Sequence, residues 1–304
     1  MKLVLERSGV YEGHGAGLYT LLDSGRPGIF YSGGSDSIIA AWDVNTEKVV
    51  FQLPKLPSYI YALCHGNEGK IFAGLYSGHL AACDTDTKTI SRISPISTQA
   101  LFDLHYFPET QQILAACADG NLLVVDADSL ELVKTIPVCR EKVRAIAVDK
   151  EKKQIFLASG DGSIRILEFP DFKESANWNA HGLSANSLLL SENGKYLFSG
   201  GRDAHLRIWN RNDNYALVKE IPAHNFALYS MAELKGKGLF ATASRDKNIR
   251  IWDMETFAPL VTISKEKSGG HRLSVNKIIL LTKEERLISC GDDRMIYAWK
   301  IEKT

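Results

Sequence analysis

Four polar residues recur four times along this chain with identical spacing. They are His14, Ser32, Asp36 and Trp42; His181, Ser199, Asp203 and Trp209; His224, Thr242, Asp246 and Trp252; and His271, Ser289, Asp293 and Trp299. In each set the hydroxyl lies 18 residues after the histidine, the aspartate 22 and the tryptophan 28. Such repetition constrains a fold strongly. Each unit must be one small structure that buries its apolar face against its neighbours, and a period of about 40 to 45 residues is that of a propeller array.

A turn followed by an apolar strand extends the repeat beyond the four sets. It occurs at 35–43, 76–84, 118–126, 160–168, 202–210, 245–253 and 292–300. The position of Trp42 falls next on Cys83, Val125, Leu167, Trp209, Trp252 and Trp299, in steps of 41, 42, 42, 42, 43 and 47. Within a unit, apolar runs such as 184–190, 195–201, 206–210 and 216–222 are bounded by Gly, Asn, Asp and Pro, which reads as four short strands joined by tight turns. The expected fold is all-β: a seven-bladed β-propeller of four-stranded antiparallel blades, occupying 1–304 as one domain. Its blades are expected near 8–53, 54–94, 95–137, 138–176, 177–222, 223–264 and 265–304. The last unit stops near its third strand, and the run at 2–7 is strand-like. An unpaired sheet edge is an aggregation hazard, so the 2–7 strand is expected to close the last blade.

The spacing of histidine, Ser/Thr, aspartate and Trp-Asp resembles the WD-repeat family of β-propellers over the whole chain. The Trp-Asp dipeptide itself occurs only at Trp42-Asp43 and Trp252-Asp253; elsewhere it is Trp209-Asn210, Trp299-Lys300 or absent. The resemblance implies that the tetrads are structural, each a buried chain from tryptophan to hydroxyl to histidine to aspartate. The donors and acceptors suit that role, since an indole only donates, an imidazole does both and a carboxylate accepts. A catalytic triad, by contrast, is needed once. The remaining blades carry Lys55, Ala73, Ser77 and Cys83; Ser97, Ala115, Asp119 and Val125; and Cys139, Leu157, Asp161 and Leu167 at the four positions. Hydroxyl and indole are lost together, as a buried network requires, because a half-satisfied one is worse than an apolar site.

Charge is balanced, with 36 basic and 36 acidic residues, which argues against nucleic acid as a partner. The densest basic stretch, Lys134 to Lys153, is interrupted by Glu141, Asp149 and Glu151. No apolar run is long enough to span a membrane, and Leu3 to Leu5 are too short a core for a signal peptide. Cys64, Cys83, Cys117, Cys139 and Cys290 are widely spaced and read as free thiols of a cytoplasmic protein. Cys139 stands where other blades have histidine, so it is expected near the upper rim and less buried.

Counting five residues on from the tetrad histidine gives inner-strand positions Tyr19, Ile60, Phe102, Arg144, Asn186, Tyr229 and Asn276. None is a carboxylate or histidine, so no metal and no cofactor are expected. Asp103 should face away by alternation, and His65, His79, His105 and His205 share no ligand spacing. In WD-repeat proteins the face bearing the tetrad histidine and turn aspartate recruits partners. The resemblance therefore implies a partner-binding upper rim of Tyr19, Ile60, Tyr76, Phe102, Lys142, Arg144, Arg202, Tyr229 and Arg245, rich in the Tyr and Arg of interface hot spots. Ordinary half-buried strand ends are the other reading of the same residues. A longer polar loop, 264–271, lies on the same face and is expected to be mobile. The function expected is a non-enzymatic scaffold or adaptor for protein or peptide partners. The alternative is a propeller enzyme of lactonase or quinoprotein type with a small-molecule site at the channel mouth.

Overall fold

The structure is a computed structural model describing residues 3–67 and 69–303. Seven four-stranded antiparallel sheets are arranged radially. The inner strands are Leu18–Asp23, Ile60–His65, Leu101–Phe107, Val143–Asp149, Ala185–Leu190, Leu228–Leu234 and Val275–Leu281. Each touches the next, and the last touches the first, so the ring is closed around a channel. The fold expected from the repeat is the fold observed. Blade 5 is representative, with Ala185–Leu190, Tyr196–Gly201, His205–Asn210 and Ala216–Pro222 running from the channel outward.

Burial explains the strand patterns. The second and third strands of each blade are sandwiched between neighbouring blades, so both of their faces are apolar; Ile113–Cys117 are all buried, as are Leu122–Val125. Outer strands are mostly exposed, as in Ala216–Pro222. Apolar faces of adjacent blades fill the gaps between them. Phe198, Phe240 and Trp252 form one such cluster, fully buried between blades 5 and 6.

The outer strand of blade 7 comes from the beginning of the chain. Leu3–Tyr11 pairs with Ile296–Lys303, from Leu3 against Lys303 to Tyr11 against Ile296, with a bulge between Arg7 and Gly9. The strand runs further than the 2–7 read from sequence, and Lys2 lies outside the described residues. Its last residue, Tyr11, is fully buried edge-on to Phe30 and Trp42 and donates its hydroxyl to the Val44 carbonyl at 3.1 Å. The closing strand is thereby tied into blade 1 as well as blade 7.

Two expectations need correction. The segment 264–271 contains a helical turn, Lys265–Ser268, capped by the Ser264 side chain and by Gly269 in the left-handed region. Arg7 Nη1 donates to the Gly269 carbonyl at 2.8 Å, fastening the turn to the closing strand. The second correction concerns register. The first residue of each other inner strand pairs with a second-strand residue 16 positions on, as in Leu18 with Gly34, but Ile60 pairs with Leu75, only 15 on. Blade 2 has one residue fewer in that hairpin. Counting back from Cys83 therefore lands one position early, on exposed Lys55 in place of buried Leu56.

Candidate functional site

In the four tetrad blades the side chains lie in a directed chain. Tryptophan Nε1 donates to the hydroxyl, the hydroxyl meets histidine Nε2, and histidine Nδ1 meets the aspartate, all at 2.7–3.0 Å. A carboxylate can only accept, so the neutral ring turns Nδ1–H towards it, which leaves Nε2 to accept the hydroxyl's hydrogen bond while the hydroxyl accepts from the indole. The aspartate also accepts the backbone N–H after the histidine, at Gly15, Gly182, Asn225 and Arg272. Burial alone would raise these four carboxyls, but the histidine hydrogen bond and charge hold them below the usual carboxylate range. The hydroxyls are fully buried. The tetrads have no open face for a substrate.

The channel mouth is built by a different device. Every inner hairpin skips one residue of its register at the same place: between Leu18 and Thr20, Ile60 and Ala62, Leu101 and Asp103, and at the matching points of the other four. The skipped residues are Tyr19, Tyr61, Phe102, Arg144, Asn186, Tyr229 and Asn276. A bulged residue leaves the ladder and its side chain is re-aimed. Here all seven turn into the mouth of a cavity of about 980 Å³. Ile60 is fully buried between blades 1 and 2. It is not part of the rim; with the register corrected, Tyr61 takes its place, because a one-residue slip moves a strand's side chains to the other face.

The bulge also overturns the expectation for Asp103. Alternation fails beside Phe102, and Asp103 lines the cavity with its carboxylate accepting the Ile146 amide of the next blade at 2.8 Å. Burial raises its pKa, countered in part by Lys277, which also lines the wall. The wall carries further titratable groups that the five-residue count did not reach: Asp23, His65, His105 and Asp292. His105 is pushed down to about 4, chiefly by burial and then by Lys150, and its Nε2 has no partner. Among the described residues no group of three or more His, Cys, Asp or Glu is placed to hold a metal. Asn186 and Asn276 serve as ties between blades, donating to the carbonyls of Leu228 and Leu18 at 3.2 and 2.8 Å.

On the upper face, five aromatic rings run in contact across blades 1 to 3. Tyr19 lies 5.0 Å from Tyr61, which lies 5.5 Å from Phe102 and 5.9 Å from Tyr76; Tyr76 lies 5.8 Å from Tyr59. Tyr59 and Tyr76 are 45% and 54% exposed, so the path runs from the channel wall to open solvent. Arg144 of blade 4 sits 4.4 Å over Phe102. Across the mouth, exposed Leu183, Phe226 and Leu273 mark blades 5 to 7, with Arg245 stacked 6.0 Å over Phe226. Lys142 and Arg202 are exposed on the same face, and Tyr229 is half-buried. Sequence reasoning missed Tyr59, Tyr61 and Phe226; the Tyr59-Ile60-Tyr61 run would have been found by allowing for the shorter hairpin.

Four of the five cysteines are buried and Cys139 is half-buried. Burial raises the Cys139 thiol, which keeps it protonated and opposes a nucleophilic role. No helix among the described residues is long and apolar enough to cross a membrane.

Residues 172–210 and 215–253 match the family described as WD domain, G-beta repeat. Each matched segment begins in or just before the outer strand of one blade and ends at the third strand of the next, so every sequence repeat links two blades. The chain is thus a closed seven-bladed β-propeller that carries WD repeats at 172–210 and 215–253. It is 31% identical over 145 residues to Elongator complex protein 2 of Dictyostelium discoideum, covering 43% of this chain and 16% of that protein. It is 32% identical over 66 residues to Nuclear distribution protein nudF 1 of Talaromyces marneffei, covering 22% and 14%. Over 111 residues it is 28% identical to Kinesin-like protein KIF21B of Homo sapiens, covering 36% and 6%. The chain thus spans less than a fifth of the length of these curated relatives.

Proposed function

We propose that this propeller is a non-enzymatic, cytoplasmic scaffold that binds protein or peptide partners on its upper face. The observation that carries the reading is the unbroken aromatic path from Tyr19 to Tyr59, with Arg144, Arg202 and Arg245 on the same face. Rigid aromatic and arginine side chains give large contact area for little lost conformational freedom and dominate binding energy at interfaces. The lower face offers a contrast: its turns between third and fourth strands are built from Asp43, Asp84, Asp126 and Asp253, whose carboxylates are occupied with their own backbone amides. The tetrads brace the blades and leave the bulged residues to do the binding.

The test compares partners recovered by three proteins: the unsubstituted chain, an upper-face variant carrying Tyr76→Ala with Arg245→Glu, and a lower-face variant carrying Asp128→Lys with Glu255→Lys. Loss of partners in the upper-face variant alone is the expected result. Loss confined to the lower-face variant would move the site to the other side of the ring.

A further inference from the structure

The Arg144 guanidinium is half-buried, whereas Arg202 and Arg245 on the same face are exposed. One side lies on the Phe102 ring, 4.4 Å from its centroid. Among the described residues it makes no hydrogen bond and no ion pair, and the groups acting on it are burial followed by the phenols of Tyr229 and Tyr61. The nearby wall carboxyl, Asp103, is engaged with the Ile146 amide. A half-buried cation without a counter-charge costs free energy. Here it stands at the end of the aromatic path, where an incoming group can reach it.

Resting on the upper-face reading, we propose that the channel mouth takes an acidic peptide segment, whose Asp or Glu carboxylate pairs with Arg144 while a neighbouring apolar side chain lies on the Tyr61–Tyr76–Tyr59 rings. The planar carboxylate matches the guanidinium fork in two parallel hydrogen bonds. A monoanion balances the one positive charge of the Arg144 guanidinium. The occupant is a chain because the surface is continuous from Arg144 inside the mouth to Tyr59 and Tyr76, which face solvent. The low dielectric of the aromatic surround strengthens the pair.

The experiment selects binders from a random-peptide phage library on the purified full chain, then measures synthetic peptides by fluorescence anisotropy. Selected peptides should carry a Glu or Asp within a few residues of an aromatic or branched apolar residue. Replacing that Glu by Gln should weaken binding by at least about tenfold. The same peptide change should have little effect on Arg144→Gln, which makes the coupling specific even if the variant is less stable. Peptides that bind and are lost on Tyr76→Ala, yet show no acidic preference, would overturn the carboxylate assignment and leave the upper-face scaffold standing. A phosphoserine peptide binding better than its Glu counterpart would also overturn it. Recovery of no peptide at all would count against both readings.

Discussion

His105 shows how one side chain on the channel wall feels its surroundings. Its ring is edge-on to Phe107 at 4.9 Å, Nε2 has no partner, and burial with the Lys150 charge depresses its pKa to about 4. A histidine whose folded pKa lies below its unfolded value of about 6.5 favours folding while both states are neutral. That contribution is complete above about pH 6.5 and is lost as pH falls towards 4, because the unfolded chain takes up the proton first. The loss can reach about 3 kcal/mol. His181, lowered mainly by burial, acts in the same direction. The carboxyls of Asp36, Asp203, Asp246 and Asp293 are held below the usual range, so their share goes only below about pH 4. We expect His105→Phe to flatten the decline of Tm between pH 6.5 and 4.5 relative to the parent. An unchanged slope would show that His105 is not the group being titrated.

At the scale of one blade, the tetrad joins the segment entering the inner strand, the second strand, the turn and the third strand. His181, with its side chain fully buried, is the middle link in blade 5. Replacing it by alanine leaves the Ser199 hydroxyl and the Asp203 carboxylate short of a partner. His181→Ala should therefore cost about 1 to 3 kcal/mol, the range for a buried group left unsatisfied. Blade 4 provides the control at the same register position. Cys139 is half-buried and makes only a long contact, 3.7 Å from Sγ to the Lys142 carbonyl, so Cys139→Ala should shift chemical denaturation much less. Comparable losses for the two substitutions would mean that the network contributes nothing beyond packing. Glycine has a sharper role in the blades without tetrads. In the turns at Gly78, Gly120 and Gly162, φ is positive and a Cβ would approach a carbonyl oxygen of the next blade's entry segment to about 2.2 Å, 2.1 Å and 2.2 Å, so only glycine fits.

For the whole molecule, closure is the decisive event. Inner strands are linked side chain to backbone, by Asp103 to Ile146, Asn186 to Leu228, Ser230 to Ile278 and Asn276 to Leu18, while Leu3–Tyr11 completes the outer edge. Tyr11 is where closing strand and first blade meet in the core. Tyr11→Ala removes a fully buried aromatic and the bond to Val44, and should destabilise by about 3 to 5 kcal/mol. It should also free the edge of Ile296–Lys303 to pair with other chains. Thermal melting followed by light scattering checks both effects; a variant that melts lower without associating would separate the packing role from edge protection.

The repeat itself was legible because spacing is a one-dimensional property. The recurrence of His, Ser/Thr, Asp and Trp at 18, 22 and 28 residues set the register in four units, the turn-and-strand pattern extended it to seven, and those four side chains stand within hydrogen-bond distance in the folded chain. What lay beyond the sequence was where the chain departs from strict alternation. A bulge in each inner hairpin turned Tyr19, Phe102 and Arg144 into the mouth and brought Asp103 round with them. One missing residue in the blade 2 hairpin exchanged Ile60 for Tyr61. Apolar periodicity specifies which strands exist, since runs of apolar residue types mark the segments that leave water. Bulges, hairpin lengths and the meeting of side chains from different blades depend on how strands pair across the closed ring, and only the tertiary structure decides that.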